Sequence, residues 1–185
     1  MLHHEHRAAP AHVVALALAL ILPSVQAGEA EHRSHGAHAH GLARLDLAVE
    51  GGVVLIGLES PAANIVGFEH APASAEERAA LDRAMATLKD GARLFHLPAE
   101  AGCRLVEATV ETPLTGEAGE AAGAEAHADI DAEYRFECAE PDRLAQMELG
   151  LFEAFPATHG LQVQFVGPKG QGAAELTAAS RVLRF

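Results

Sequence analysis

Tryptophan is absent from the 185 residues, tyrosine occurs once, and the aromatic types together make up 4% of the chain. Carbohydrate platforms and base-stacking grooves are built from aromatic faces, so neither is well supplied here. Positive charge is equally scarce: 13 Lys and Arg stand against 26 Asp and Glu, a formal net charge of −13. Such a surface repels nucleic acid and concentrates cations. Long apolar runs are missing too. The longest, VVALALALIL at 13–22, falls well short of the ~20 residues that cross a bilayer. Catalytic signatures are likewise absent: there is no H-E-x-x-H, no G-x-S-x-G and no phosphate-cradling glycine loop, which points away from an enzyme.

That short apolar run has a different meaning at an N-terminus. Arg7 and several histidines precede it, and the small residues of Val25-Gln26-Ala27 follow it, the pattern of a secretory signal peptide over 1–27. The expected mature chain starts at Gly28, is exported and keeps no stable membrane anchor. Removing 1–27 takes away Arg7 and Glu5, so the balance of −13 is unchanged.

Only two cysteines are present, Cys103 and Cys138, with no C-x-x-C spacing. From Asp129 to Cys138, Ile130, Ala132, Tyr134, Phe136 and Cys138 alternate with Asp131, Glu133, Arg135 and Glu137, as in a half-buried strand. An inward thiol in an exported chain is best explained by a Cys103–Cys138 disulfide. The competing reading, two thiolate zinc ligands, would require reduced thiols and a closer spacing.

The remaining pattern is mixed. Leu45, Leu47 and Val49, the Gly51-Gly52 turn and the run Val53 to Leu58 read as a β-hairpin, with an irregular connection over 62–69. Ser74-Ala75-Glu76-Glu77 is a capping box, and Leu81, Met85 and Leu88 follow at helical spacing to a stop at Gly91. Residues 92–97 and 103–112 read as strands, the latter with Val106, Ala108 and Val110 on one face. PLTGEAGEAAGAEAHA at 113–128 has the composition of a solvated linker. Beyond it come strands at 129–138, 146–152 and 161–166, a helical turn or loop at 154–160, a turn at 168–172 and a last strand ending at Phe185. The expected fold class is α+β: antiparallel hairpins, one well-defined helix, a shorter second one, and two ββαββ-like halves. The expected organisation is a flexible His-rich arm at 28–40, a first α+β half at 41–112, the linker at 113–128, and a second, mainly β half at 129–185.

Histidine is the residue in excess. Eight of the twelve lie beyond residue 27, and neutral imidazole suits zinc, copper and nickel. HRSHGAHAHG at 32–41 holds His32, His35, His38 and His40. The i, i+2 pair His38 and His40 in extended chain aims both rings to one side. His127, Asp129, Asp131 and Glu133 occupy alternate positions and would share the solvent face of their strand as a second cation stripe. His70 sits in a connection, where loops commonly present ligands. His96, between Phe95 and Leu97, reads as a packed or locally bonded side chain, and His159 has no preferred reading.

HAHG at 38–41, the segment SPAANIVGFEH at 60–70, the capped helix, AGC at 101–103, YRFEC at 134–138 and LFEAFP at 151–156 together resemble the ZrgA-type family of zinc-regulated periplasmic proteins. The resemblance covers nearly all of the mature chain. It implies a periplasmic zinc-binding protein that assists zinc acquisition beside an inner-membrane transporter. His38, His40 and His70 match the family's HxHG and GFEH motifs, and Cys103 and Cys138 match its two cysteines. Family members often carry a long histidine-rich insertion before the Y-x-F-x-C strand. GEAGEAAGAEAHA stands there instead, with His127 alone, a weaker and less selective ligand set. The functional expectation is therefore zinc buffering or delivery through imidazoles, with Cu²⁺ and Ni²⁺ as chemical alternatives. Its rival is a non-catalytic envelope domain for structure or protein interaction whose histidines are incidental.

Overall fold

A computed structural model of the chain describes residues 39–116 and 128–185. The expected signal peptide, the arm up to His38 and residues 117–127 of the linker lie outside the described residues.

Alternation of apolar and polar residues makes the first two strands. β1 (Leu42–Glu50) and β2 (Val53–Pro61) form the expected antiparallel hairpin, with Gly51 at φ +55° in its turn. The connection after β2 is not irregular throughout: α1 (Ala62–Ile65) follows Pro61 directly and buries Ala62 and Asn64. α2 (Ala75–Lys89) begins where the capping box places it, with Ser74 Oγ accepting from Glu77 N–H at 3.1 Å and the Glu77 carboxylate accepting from Ser74 N–H at 3.3 Å. It buries Leu81, Ala84 and Leu88.

Gly91 does not act as a left-handed stop. α2 ends at Lys89, and Gly91 opens a second short helix, α3 (Gly91–Leu94), before β3 (Phe95–His96). The strand expected over 92–97 is thus helical in its first half and shrinks to Phe95–His96. Glycine is needed at 91 because a Cβ there would collide with the ring of Tyr134. Gly91→Ala is accordingly expected to destabilise by about 1–3 kcal/mol, the range for overpacking, despite alanine's better helix propensity. A urea midpoint equal to or above wild type would contradict that.

The remaining described residues form β4 (Cys103–Glu111), β5 (Asp129–Cys138), β6 (Gln146–Leu149), α4 (Leu151–Ala154), β7 (Gly160–Gly167), β8 (Gly170–Leu176) and β9 (Val182–Arg184), with short turns between them. The helical turn near 151 starts three residues before its expected place. The final strand is two: β8 in the large sheet and β9 in the small one. In β4 a register shift between Leu105 and Glu107 leaves Val106 exposed while Leu105, Ala108 and Val110 turn inward. One bulged residue reverses the face on either side of it, so the face assignment made from plain alternation fails before the bulge.

Six strands form one sheet in the order β4-β5-β2-β1-β7-β8, and β3-β6-β9 form a second. All pairs are antiparallel except β1 with β7. Since β2 pairs with β5 and β1 with β7, strands from both sides of the 113–128 stretch share one sheet, a point the sequence left open. The pairing does not repeat between the halves: β1 and β2 form a hairpin, whereas β5 and β6 lie in different sheets.

One continuous core joins Leu45, Ile56, Ile130 and Tyr134 of the large sheet with Leu88, Phe95, Met147, Leu149 and Leu183. Each such side chain contributes about 1.5–3 kcal/mol on burial. Phe95 and Tyr134 meet edge to face, centroids 4.8 Å apart, and burial pushes the Tyr134 phenol well above its usual range. The other face of the large sheet is open, with a cleft of about 1030 Å³ over Asp46, Leu55, Gly57, Glu133, Gln164 and Val166. Cys103 and Cys138 face each other across β4 and β5 and are joined by the expected disulfide.

Candidate metal centre

Strand direction decides which residues meet. β1 starts, β2 ends, β4 ends and β5 and β7 start at the same end of the large sheet, as the registers Leu42↔Gly160, Pro61↔Asp129 and Glu111↔Asp131 require. The disulfide lies at the other end, about 30 Å away at ~3.3 Å per residue, where Cys138 N–H donates to Gly52 O. The His-bearing end is organised around Gly41. Its N–H donates to Asn64 Oδ1 at 2.6 Å, Asn64 Nδ2 donates to Leu42 O at 2.9 Å, and the N–H groups of His159 and Gly160 donate to Gly41 O at 2.7 and 2.9 Å. Gly41 has φ +86°, a backbone that favours glycine. The buried Asn64 thus ties the β1 entry to α1, fixing His40 immediately outside the clamp.

His40 and the segment before α2 meet here. His40 Nε2 lies 3.2 Å from Glu69 Oε1, with the imidazole 65% exposed and the carboxylate 16%. Glu69 precedes His70 in the chain, so His40 and the GFEH segment are brought together through this one carboxylate. The His70 ring stacks on Phe68 with centroids 5.3 Å apart. Its Nδ1 is 3.0 Å from Ala71 O, and its Nε2 is 3.9 Å from Glu77 Oε1. With the proton on Nδ1 donated to that carbonyl, Nε2 keeps its lone pair outward, the arrangement that metal-ligating histidines commonly use. Two imidazoles with carboxylates beside them fit a zinc ion's donor preferences. Among the described residues, however, no three His, Cys, Asp or Glu side chains converge at ligand spacing.

The other expected donors are placed unevenly. His32, His35 and His38 lie outside the described residues, as does His127; the next residue, Ala128, is held by its carbonyl accepting from Ala62 N–H at 2.8 Å. Asp131 is exposed, as expected, opposite Glu59 and Glu111. Asp129 is not on a solvent face: it is 8% exposed. The start of β5 is enclosed on both faces, with Ala128 and Ile130 also buried, α1 packed on the strand and Thr112 Oγ1 donating to Asp129 O at 2.9 Å. His96 is exposed on β3, rather than packed. Neither Glu69 nor Asn64 stood out in the sequence. A polar residue between the apolar neighbours of AANI, four after Ser60 whose Oγ it bonds at 3.3 Å, was the available signal for Asn64.

Among the described residues no helix is long and apolar enough to cross a membrane. No curated protein matches the chain. Residues 37–185, which include the Gly41 clamp, Glu69, His70 and both cysteines, match the model described as "ZrgA family zinc uptake protein", and the chain belongs to that family.

Proposed function

We propose that this chain is an exported, periplasmic zinc-binding protein that buffers zinc or passes it to an inner-membrane transporter, without a catalytic role. The observation that supports the reading is the contact of His40 with Glu69, the chain neighbour of His70 and about thirty residues away in sequence. His40 and His70 supply neutral nitrogen, Glu69 supplies charge, and the arm bearing His32, His35 and His38 joins the described chain at Ala39. The second, weaker set expected from His127, Asp129 and Asp131 is reduced to His127 and Asp131, because Asp129 is enclosed at the start of β5.

His40→Ala and the deletion of residues 28–40 are both expected to weaken zinc binding by about 10- to 100-fold or more, the range that even a ligand's outer-shell partners command. Competition against a chromophoric chelator measures it, and affinities within twofold of wild type would contradict the proposal. Affinity should also fall from pH 7 toward pH 5, because histidine as a class titrates near 6.5 and protons compete with the metal. The rival reading, an envelope interaction domain, draws on the open cleft over the large sheet. It requires the same deletion to leave zinc binding unchanged.

A further inference from the structure

Gly57 stands at the middle of β2, a strand paired with β1 on one side and β5 on the other. The usual reasons for a glycine inside a strand are missing there. Pairing runs without a shift through Asp46↔Gly57 and Gly57↔Glu133, so there is no bulge. Its φ is not positive, and a Cβ built on it meets nothing within 4 Å. Glycine in a strand interior weakens a sheet; where no bulge or bend explains it, it marks a place that a ligand or another chain approaches closely. The hollow left by the missing side chain opens on the uncovered face of the large sheet, in the cleft of about 1030 Å³.

The surroundings of the hollow define what would fill it. Asp46 and Glu133 are exposed and flank it on the neighbouring strands, their backbones about 10 Å apart at ~4.8 Å per strand. Neither carboxylate has an ion pair among the described residues. One step along the face, Glu59 is opposed to Asp131, and Asp131 to Glu111, an acidic row that only Arg44 interrupts. One step the other way the face is apolar. Ala48 stands between Leu55 and Val166, which are 47% and 51% exposed. Arg135, beside Leu55, has its guanidinium 3.6 Å from Glu137 Oε1. A second copy of this chain would bring its own charge of −13 against these carboxylates, and like charges repel.

We infer that this face docks an extended basic segment of a partner protein, with a Lys or Arg side chain over Gly57 between Asp46 and Glu133 and an apolar neighbour on Leu55, Ala48 and Val166. The inference stands apart from the zinc reading, because it uses no histidine. A cation between two carboxylates forms charge-assisted hydrogen bonds, and the apolar row adds area withdrawn from water. Glycine at 57 is thus explained by what it admits.

The test titrates the purified protein, in buffer with chelator, into a fluorescein-labelled heptapeptide alternating lysine and valine, followed by anisotropy. Saturable binding that weakens as salt rises is expected, and the glutamate–valine counterpart should not bind. Asp46→Lys with Glu133→Lys should weaken binding about tenfold or more, since facing like charges suppress a partner. Gly57→Val should cause a similar loss while the urea midpoint stays at or above wild type, because valine favours a strand. That pairing of lost binding with kept stability is what a purely structural glycine would not give. Failure of the lysine–valine peptide to bind, or equal binding of both peptides, would overturn the inference. So would two other occupants: the chain's own arm, if deleting 28–40 raises peptide affinity about tenfold, or a second copy, if the protein sediments as a dimer that Leu55→Lys dissociates.

Discussion

Replacing Cys103 and Cys138 by alanine is expected to lower stability by about 4 kcal/mol and the melting temperature by about 8–16 °C. The bond closes a separation of 35 residues, and in the chain-entropy account a loop of that length costs the unfolded state its freedom by that amount. The bond joins directly opposed positions of β4 and β5, at the sheet end remote from Gly41. Stability and metal binding should therefore separate: at a temperature where the variant stays folded, its zinc affinity should match wild type within about twofold, as distant sites usually act independently. Calorimetry with and without reductant checks the first part. An unchanged melting temperature would show that the bond constrains little, and a collapse of zinc affinity in the folded variant would tie the cysteines to the metal.

Alkaline titration should unfold the protein before it ionises its single tyrosine. Tyr134 is 2% exposed, its hydroxyl has no hydrogen-bond partner among the described residues, and burial raises its pKa well above that of an exposed phenol. The sign follows from linkage. Below about pH 10 both states hold the proton and stability is unaffected. Above it the unfolded chain ionises while the folded one does not, so stability falls by about 1.4 kcal/mol per pH unit until the folded value is reached. With one tyrosine and no tryptophan, absorbance near 295 nm reports this group alone. The phenolate band should grow together with loss of circular dichroism, at a midpoint above 10. A midpoint near 10 with the fold intact would mean the phenol is solvated.

Local signals were the ones that sequence patterns reported well. The α2 capping box, the β1–β2 turn and the inward row of β5 each depend on residues within one element. What escaped depends on neighbours from elsewhere. The β4 bulge is one extra residue whose place is set by pairing with β5, and no alternation rule can see it. Asp129 belongs by period to a solvent face, yet α1 and Thr112 enclose it. β8 and β9 looked like a single strand because nothing local to 170–185 says that Val182–Arg184 pairs with β6. At the candidate metal centre, His40 and His70 were recognisable from residue type, motif and resemblance. Their link through Glu69 was not, because it is a contact between distant parts of the chain, and Glu69 looks like any surface carboxylate.

X-ray absorption at the zinc edge, on protein loaded with one equivalent of zinc at pH 7, tests the central claim most directly. The account predicts a first shell of nitrogen and oxygen near ~2.0–2.1 Å with the outer-shell scattering of imidazole rings. A sulfur shell near ~2.3 Å, or an oxygen-only shell without imidazole scattering, would contradict it.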